Sequence, residues 1–418
     1  MSNERRIVIT GIGTVNPLGH NVNTTWEKVK KGESGITRIT KFDASTFASQ
    51  IAGEVKNFEF RNFFNEENLK TAKRLEPFVH YAEAAAQEAL AQSGLPIDKN
   101  PERVGICIGS GIGGIHSAFE NSQALITKGH RRVNPFYIPA TIGNIASGFL
   151  SIVHNIKGPN LSLQTACATA NHSLAAAFML IKLGLADAML AGGAEGTILP
   201  LSFAGFCNMH ALSTKYNNEP QRASRPFDRD RDGFVMSEGA GVLVLEELES
   251  ARKRGVSILA EVLGVGMSGD AYDLVMPEAD GKGALQSMLQ ALSLARLNAD
   301  DINYINAHGT STPVGDVAEC KAISCLLGQR SKGVYVGSTK SLHGHLLGAT
   351  AALEAIICVK VINEGFIPQN INLDNLDPEI TLACINREPV EMKVDIALSN
   401  SFGFGGHNST LVLKRFTD

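Results

Sequence analysis

The chain runs one order of elements twice, and this repetition constrains its fold more than any single residue does. Residues 6–10 alternate as a strand and end in Gly11-Ile12-Gly13, and residues 258–266 form a second strand closing on Gly264-Val265-Gly266. An Ala-rich helical stretch follows each, at 75–92 and 283–295, and then a further strand, at 104–108 and 302–307. Each half then has a turn rich in reactive side chains before a buried helix, at 173–185 and 347–362. Residues 161–193 read as strand, turn, helix and a strand at 188–191, a parallel βαβ unit. Two similar α/β halves, 1–255 and 256–418, are therefore expected, alike in element order and not in residue identity. The first G-x-G lacks the third glycine of a dinucleotide loop, because Asn16 stands in its place, so a tight turn is the expectation there.

Composition excludes several classes of function. The net charge of -4 gives no bulk attraction to nucleic acid. The seven cysteines are odd in number, and the one close pair, Cys320 and Cys325, fits no C-x-x-C pattern, which points to a reduced, cytoplasmic setting without disulfides. The first residues lead straight into a strand without the apolar region of a signal peptide. The longest apolar region, 173–193, is interrupted by Lys182 and Asp187, whereas a membrane span needs ~20 nearly uncharged residues.

Three polar stretches need separate readings. Gly109-Ser110-Gly111-Ile112-Gly113-Gly114 has no G-K-[ST] and is no P-loop; its glycines let backbone approach something closely, whether phosphate, ligand or another chain. Residues 220–241 read as a long polar loop whose Asp228, Asp230 and Asp232 imitate a calcium loop, but its twelfth position is Gly239. Arg229 and Arg231 suggest internal ion pairs there. Lys70, Lys73 and Arg74 form a small cationic cluster, which on its own is a solvated face.

The chemistry gathers at four turns. Cys167 lies in L-Q-T-A-C-A-T-A-N, where a strand gives way to a helix, and a helix N-terminus favours thiolate and a lowered thiol pKa. A lone cysteine is more often a small core residue. His308 lies in N-A-H-G-T-S-T-P and His345 in K-S-L-H-G-H-L-L-G, each at a junction like that of Cys167. His343-Gly344-His345 lacks a third nearby ligand and is a weak zinc signal. The stretch N-S-F-G-F-G-G, with Phe404 between glycines, can aim a backbone N–H at an oxyanion. One cysteine with two histidines permits acyl transfer to the thiol and stabilisation of an enolate by two imidazole N–H groups.

T-A-C-A-T-A, N-A-H-G-T-S-T, K-S-L-H-G-H-L-L-G-A and N-S-F-G-F-G-G, in this order, resemble β-ketoacyl-acyl carrier protein synthases, and the likeness runs nearly end to end. The resemblance implies a thiolase-like α/β fold, two βαβαβαββ halves stacked as five layers, working as a homodimer. It implies that Cys167 takes the acyl chain, that His308 and His345 assist decarboxylation of malonyl-acyl carrier protein, and that Lys340 and Glu354 form a buried pair beside the second histidine. Backbone N–H groups of Cys167 and Phe404 would make the oxyanion hole, with Phe404 also the gate. Thr310 and Thr312 would meet pantetheine; Ile112, Phe206 and Phe402 would meet substrate. Lys70, Lys73, Arg74, Arg131 and Arg132 would face the acidic carrier protein.

Ile112 stands where synthase II members carry isoleucine and synthase I members glycine, which points to medium or long acyl chains. No cofactor, metal, nucleic acid or membrane is expected. The chain departs from the family at His210, Asp273, Val275, Met276, His343 and His407. A thiolase would need a second cysteine in a C-x-G motif near the end, and after Cys384 there is none. A chain-length-factor subunit would have lost the cysteine.

Overall fold

The computed structural model describes residues 5–328 and 333–417. Among them is a ten-stranded sheet built from β1 (Ile7–Val15), β2 (Val104–Gly109), β3 (Asn160–Leu161), β4 (Ala188–Glu195), β5 (Gly239–Glu247), β6 (Ala260–Gly269), β7 (Tyr304–Asn306), β8 (Tyr335–Gly337), β9 (Ile396–Gly403) and β10 (His407–Lys414). The helices that cover it are α1 (Pro77–Ser93), α2 (Ile145–Val153), α3 (Thr169–Lys182), α4 (Lys282–Ala295), α5 (Pro313–Leu327) and α6 (Thr350–Glu364). Both runs therefore read βαβαβαββ.

The strand order is β8-β7-β9-β10-β6-β1-β5-β4-β2-β3, which reads the same outward from its centre in both directions. Directions match as well. β1 with β5, and β6 with β10, are antiparallel; β4 with β2, and β9 with β7, are parallel. The halves join where β1 and β6 pair antiparallel at Ile7 with Val262, Val8 with Glu261 and Ile9 with Ala260.

Helices α1 and α2 lie on one half of the sheet, α4 and α5 on the other, and α3 and α6 pack between the two, touching strands of both. This is the expected five-layered arrangement. A helix buried over most of its surface must be largely apolar, which is why α3 and α6 are rich in Ala, Leu and Ile. Leu174, Phe178 and Ile181 of α3 share one core with Leu353, Ile356 and Ile357 of α6.

One expectation is corrected. Gly11 and Gly13 lie within β1, not in a tight turn. A Cβ on either would run into the carbonyl oxygen of Ala89 or Ala85 in α1. Gly264 and Gly266 stand likewise against Ala291 and Ser287 of α4. Each G-x-G lets a helix backbone rest directly on a strand. The polar loop at 220–241 is turned inward over much of its length. Arg225, Asp228, Arg231 and Glu238 are buried there, as are Phe234, Val235 and Met236. Arg225 pairs with Asp228 at 2.9 Å, and Arg231 with Asp377 at 2.5 Å, which satisfies the charges that burial would otherwise strand. Arg229 reaches Asp230 only at 3.6 Å, and both are exposed.

Because backbone cannot yield as a side-chain tip can, Gly266→Ala is expected to cost about 1–3 kcal/mol through overpacking. Denaturant midpoints of the variant and the parent check this; an unchanged midpoint contradicts it.

Candidate active site

The turn that presents Cys167 is made by the meeting of β3, α3 and β9. Strand β3 is only two residues long, and α3 begins at Thr169, earlier than periodicity suggests. Cys167 therefore sits in a 3-10 turn, Ala166–Ala168, one step before the helix. Ala166 takes a positive φ of 49°, a strained state for a residue with a Cβ. Several contacts hold it. Thr165 N–H donates to Thr169 Oγ1 at 2.8 Å, and the Ser401 hydroxyl donates to the Cys167 carbonyl at 2.8 Å. Gly403 rests on the turn; a Cβ there would lie 2.6 Å from the Thr165 oxygen.

The start of α6 repeats this turn in the other half. Leu347 has φ 48°, Leu347–Ala349 is again 3-10, and Ala349-Thr350-Ala351 matches Ala168-Thr169-Ala170. Thr350 serves a different purpose from Thr169: its Oγ1 lies 3.0 Å from Nδ1 of His345. Nε2 of His345 lies 3.0 Å from Cys167 Sγ. The His345 backbone is pinned on both sides, its N–H donating to Val235 O and its carbonyl accepting from Ser237 N–H, each at 2.8 Å.

His308 follows β7. Its N–H and that of Gly309 donate to the two oxygens of Glu319 at 2.8 and 2.7 Å. Its ring stands edge-on to His345, centroids 5.5 Å apart, and 5.6 Å from Phe402. Nδ1 of His308 is buried without a hydrogen-bond partner among the described residues. One ligand-type atom from each of Cys167, His308 and His345 lies within 4.8 Å of the others, so all three can act on one small group. Lys340 Nζ meets Glu354 Oε1 at 2.6 Å, both fully buried. His343 turns away from this centre. Its Nδ1 lies 2.8 Å from the Gly344 oxygen and its Nε2 3.0 Å from Thr339 Oγ1, so it does not share a ligand point with His345.

The electrostatics reverse one expectation. Cys167 is 9% exposed, and burial pushes its thiol up to about 12. Lys340 and the backbone N–H groups of Cys167 and Phe404 pull the other way without prevailing. Desolvation therefore outweighs the helix N-terminus, and the resting group is a thiol. Burial, then the Lys340 charge, hold His308 and His345 well below the ordinary histidine range. Burial likewise raises Glu354 to about 7, although Lys340 opposes it.

A cavity of about 470 Å³ opens onto these groups. Ile112, Phe206, Phe402, Phe404, Thr310 and Thr312 all line it, and the two threonine hydroxyls are 2.9 Å apart. His210, Val275 and Met276 line it too. Asp273 does not; it accepts the N–H of Val275 and of Met276 at 2.8 and 2.9 Å. Sequence reasoning missed Phe234, whose ring lies 5.3 Å from His345 and 5.4 Å from Phe206. Its apolar F-V-M run after Gly233 was the available signal inside a charged stretch. Lys70, Lys73, Arg74, Arg131 and Arg132 are exposed, away from the cavity lining. The Arg74 guanidinium lies 4.2 Å from the Phe136 ring centre, which draws the two cationic segments together.

Known proteins are similar to this chain over its length. Residues 4–251 match the model of the β-ketoacyl synthase N-terminal domain, and residues 259–374 that of its C-terminal domain. The 3-oxoacyl-[acyl-carrier-protein] synthase 2 of Coxiella burnetii is 47% identical over 416 residues, 99% of this chain and 100% of that protein. That of Synechocystis is 45% identical, covering 99% of each. Among solved structures, a β-ketoacyl synthase from Burkholderia phymatum superimposes with a TM-score of 0.91 at 30% identity, covering 99% of this chain and 100% of that one. A chain from a type II PKS acyl-carrier protein in complex with its ketosynthase gives 0.90, also at 30% identity, with the same coverage. The chain belongs to the β-ketoacyl synthase family.

Proposed function

We propose that the chain condenses malonyl-acyl carrier protein with an acyl group held on Cys167, releasing carbon dioxide and giving β-ketoacyl-acyl carrier protein in fatty acid elongation. One observation carries the reading: Cys167 Sγ lies 3.0 Å from His345 Nε2, with His308 beside them on the wall of a largely apolar cavity.

In the first stage the thiol proton passes to His345 Nε2 as sulfur attacks the acyl thioester carbonyl. The N–H groups of Cys167 and Phe404 receive the oxyanion, and the proton leaves with the carrier's thiol. In the second stage the malonyl C–C bond breaks and its electron pair becomes an enolate. One N–H from each of His308 and His345 holds the enolate oxygen. The carbanion then attacks the Cys167 thioester, forms the new C–C bond and frees the sulfur as thiolate, which takes up a proton from solvent to restore the thiol. Neutral imidazoles suit both stages, since each has one N–H and one acceptor nitrogen. The Thr350 hydroxyl can donate or accept, so His345 can occupy either tautomer.

Lys340 and Glu354 supply a fixed charge pair beside the histidines. Thr310 and Thr312 take the pantetheine arm, and Ile112, Phe206 and Phe402 the reacting chain. We assign the two halves to residues 1–255 and 256–418. Exposed Lys70, Lys73, Arg74, Arg131 and Arg132 suit the acidic carrier protein. A homodimer is supported by exposed Ile126, Ile138 and Ile142 and by exposed Leu161 on β3, the edge strand of the sheet. A cytoplasmic setting accords with seven free cysteines and with the absence, among the described residues, of any helix long and apolar enough to cross a membrane.

Purified protein given acyl and malonyl carrier-protein thioesters, with a chelator present, is expected to release carbon dioxide and form β-ketoacyl product. Cys167→Ala is expected to lose the acyl-enzyme adduct seen by intact mass while keeping its circular dichroism. An adduct on the variant would assign the nucleophile to another thiol. Ile112→Gly is expected to move the preferred primer length, read from a chain-length series; an unmoved preference removes Ile112 as its determinant. Charge reversal at Arg74 and Arg131 together is expected to raise KM for the carrier-bound primer about tenfold with kcat little changed. Steady-state kinetics at two salt concentrations check this.

A further inference from the structure

Glu195, at the end of β4, is completely buried and takes no part in the chemistry above. Its carboxylate accepts four hydrogen bonds from two separate segments. Oε2 receives the N–H of Gly111 at 2.8 Å and that of Gly348 at 3.0 Å. Oε1 receives the Ser110 hydroxyl at 2.9 Å and the N–H of Ile112 at 3.3 Å. Gly111 is held from its other side as well, since Gln164 Nε2 donates to its carbonyl at 2.9 Å. Gln164 lies three residues before Cys167. The same small group of atoms therefore ties the Cys167 turn, the Ile112 wall of the cavity and the turn that starts α6 after His345.

The glycines show how tightly this is built. A Cβ on Gly111 would lie 2.7 Å from Glu195 Oε2, and one on Gly348 would lie 2.9 Å from that oxygen and collide with the Gly111 nitrogen. This answers what the first part of the glycine-rich 109–114 stretch approaches: a carboxylate of the protein itself and the backbone of its second half. Burial pushes Glu195 up to about 7, and the four donors oppose that rise.

We propose that Glu195 is a positioning residue that sets Ile112 and the Gly348 turn in register with Cys167, and so governs both primer-length preference and condensation rate. The proposal rests on the condensing reading above. A carboxylate offers acceptors on both oxygens, whereas an amide offers one acceptor oxygen and an NH2 group. Glutamine at this position must abandon either the pair of N–H groups that joins Gly111 to Gly348 or, with its NH2 turned the other way, the N–H of Ile112, since only the Ser110 hydroxyl can turn to accept. Each loss frees one side of the cavity from the other.

The test compares wild type with Glu195→Gln on carrier-protein primers of graded length, with circular dichroism and melting temperature measured alongside. Condensation is expected to fall about tenfold or more, as small misplacements in an active site do. The ratio of long-primer to short-primer acylation is expected to shift about threefold, because the Ile112 wall moves. If the folded variant keeps rate and ratio within about twofold of wild type, the proposal is overturned. A uniform loss at every primer length, with a lower melting temperature, marks a purely structural role and also overturns it. Should Glu195→Gln fail to fold, Ser110→Ala, which removes one donor to Oε1, carries the test; its expected effect is a ratio shift of about twofold, and an unchanged ratio overturns the proposal. A wild type that does not condense at all removes the underlying reading instead.

Discussion

Everything in this molecule depends on the packing of α3 against α6. Two helices that are buried over most of their surface can be stable in water only between two covering layers, and each half of the sheet supplies one. Because the halves repeat one topology, the two helices begin side by side. Their first turns are alike down to a positive φ at Ala166 and Leu347 and an Ala-Thr-Ala step. One start carries Cys167. The other keeps glycine, Gly348, at the position of Cys167, and lends its threonine to His345.

That placement sets the electrostatics. Groups held between layers lose their water, and desolvation here acts on every ionisable group in the same sense, toward neutrality. It holds the thiol protonated and both histidines uncharged, against the pull of the helix start on the sulfur. The charges that remain are met by close partners. Lys340 has Glu354, Glu319 has the two N–H groups at His308 and Gly309, and Glu195 has its four donors. A site of neutral acids and bases at short range is suited to moving a proton between sulfur and imidazole and to holding an enolate.

Four of the six departures from the family fall into two groups by location. His210, Val275 and Met276 lie in the cavity lining, where they meet whatever enters. His343 lies behind the site, with both ring nitrogens engaged by Gly344 and Thr339.

The sequence by itself determined the duplicated α/β order, the buried character of α3 and α6, and the four turns bearing Cys167, His308, His345 and Phe404. These are local properties: periodicity, glycine spacing and motif. The strand glycines were visible too, yet their purpose was misread, because a turn and a helix resting on a strand call for the same residue. Tertiary structure alone decided the rest. It turned the charged 220–241 stretch inward and brought Phe234 to His345, since burial there depends on Asp377 and Asp316, far along the chain. It reversed the sign of the Cys167 shift, because the helix start is a local effect and desolvation belongs to the whole fold. It also joined Ser110, Gly111, Ile112 and Gly348 on one carboxylate, a contact across 153 residues of chain that no local pattern announces.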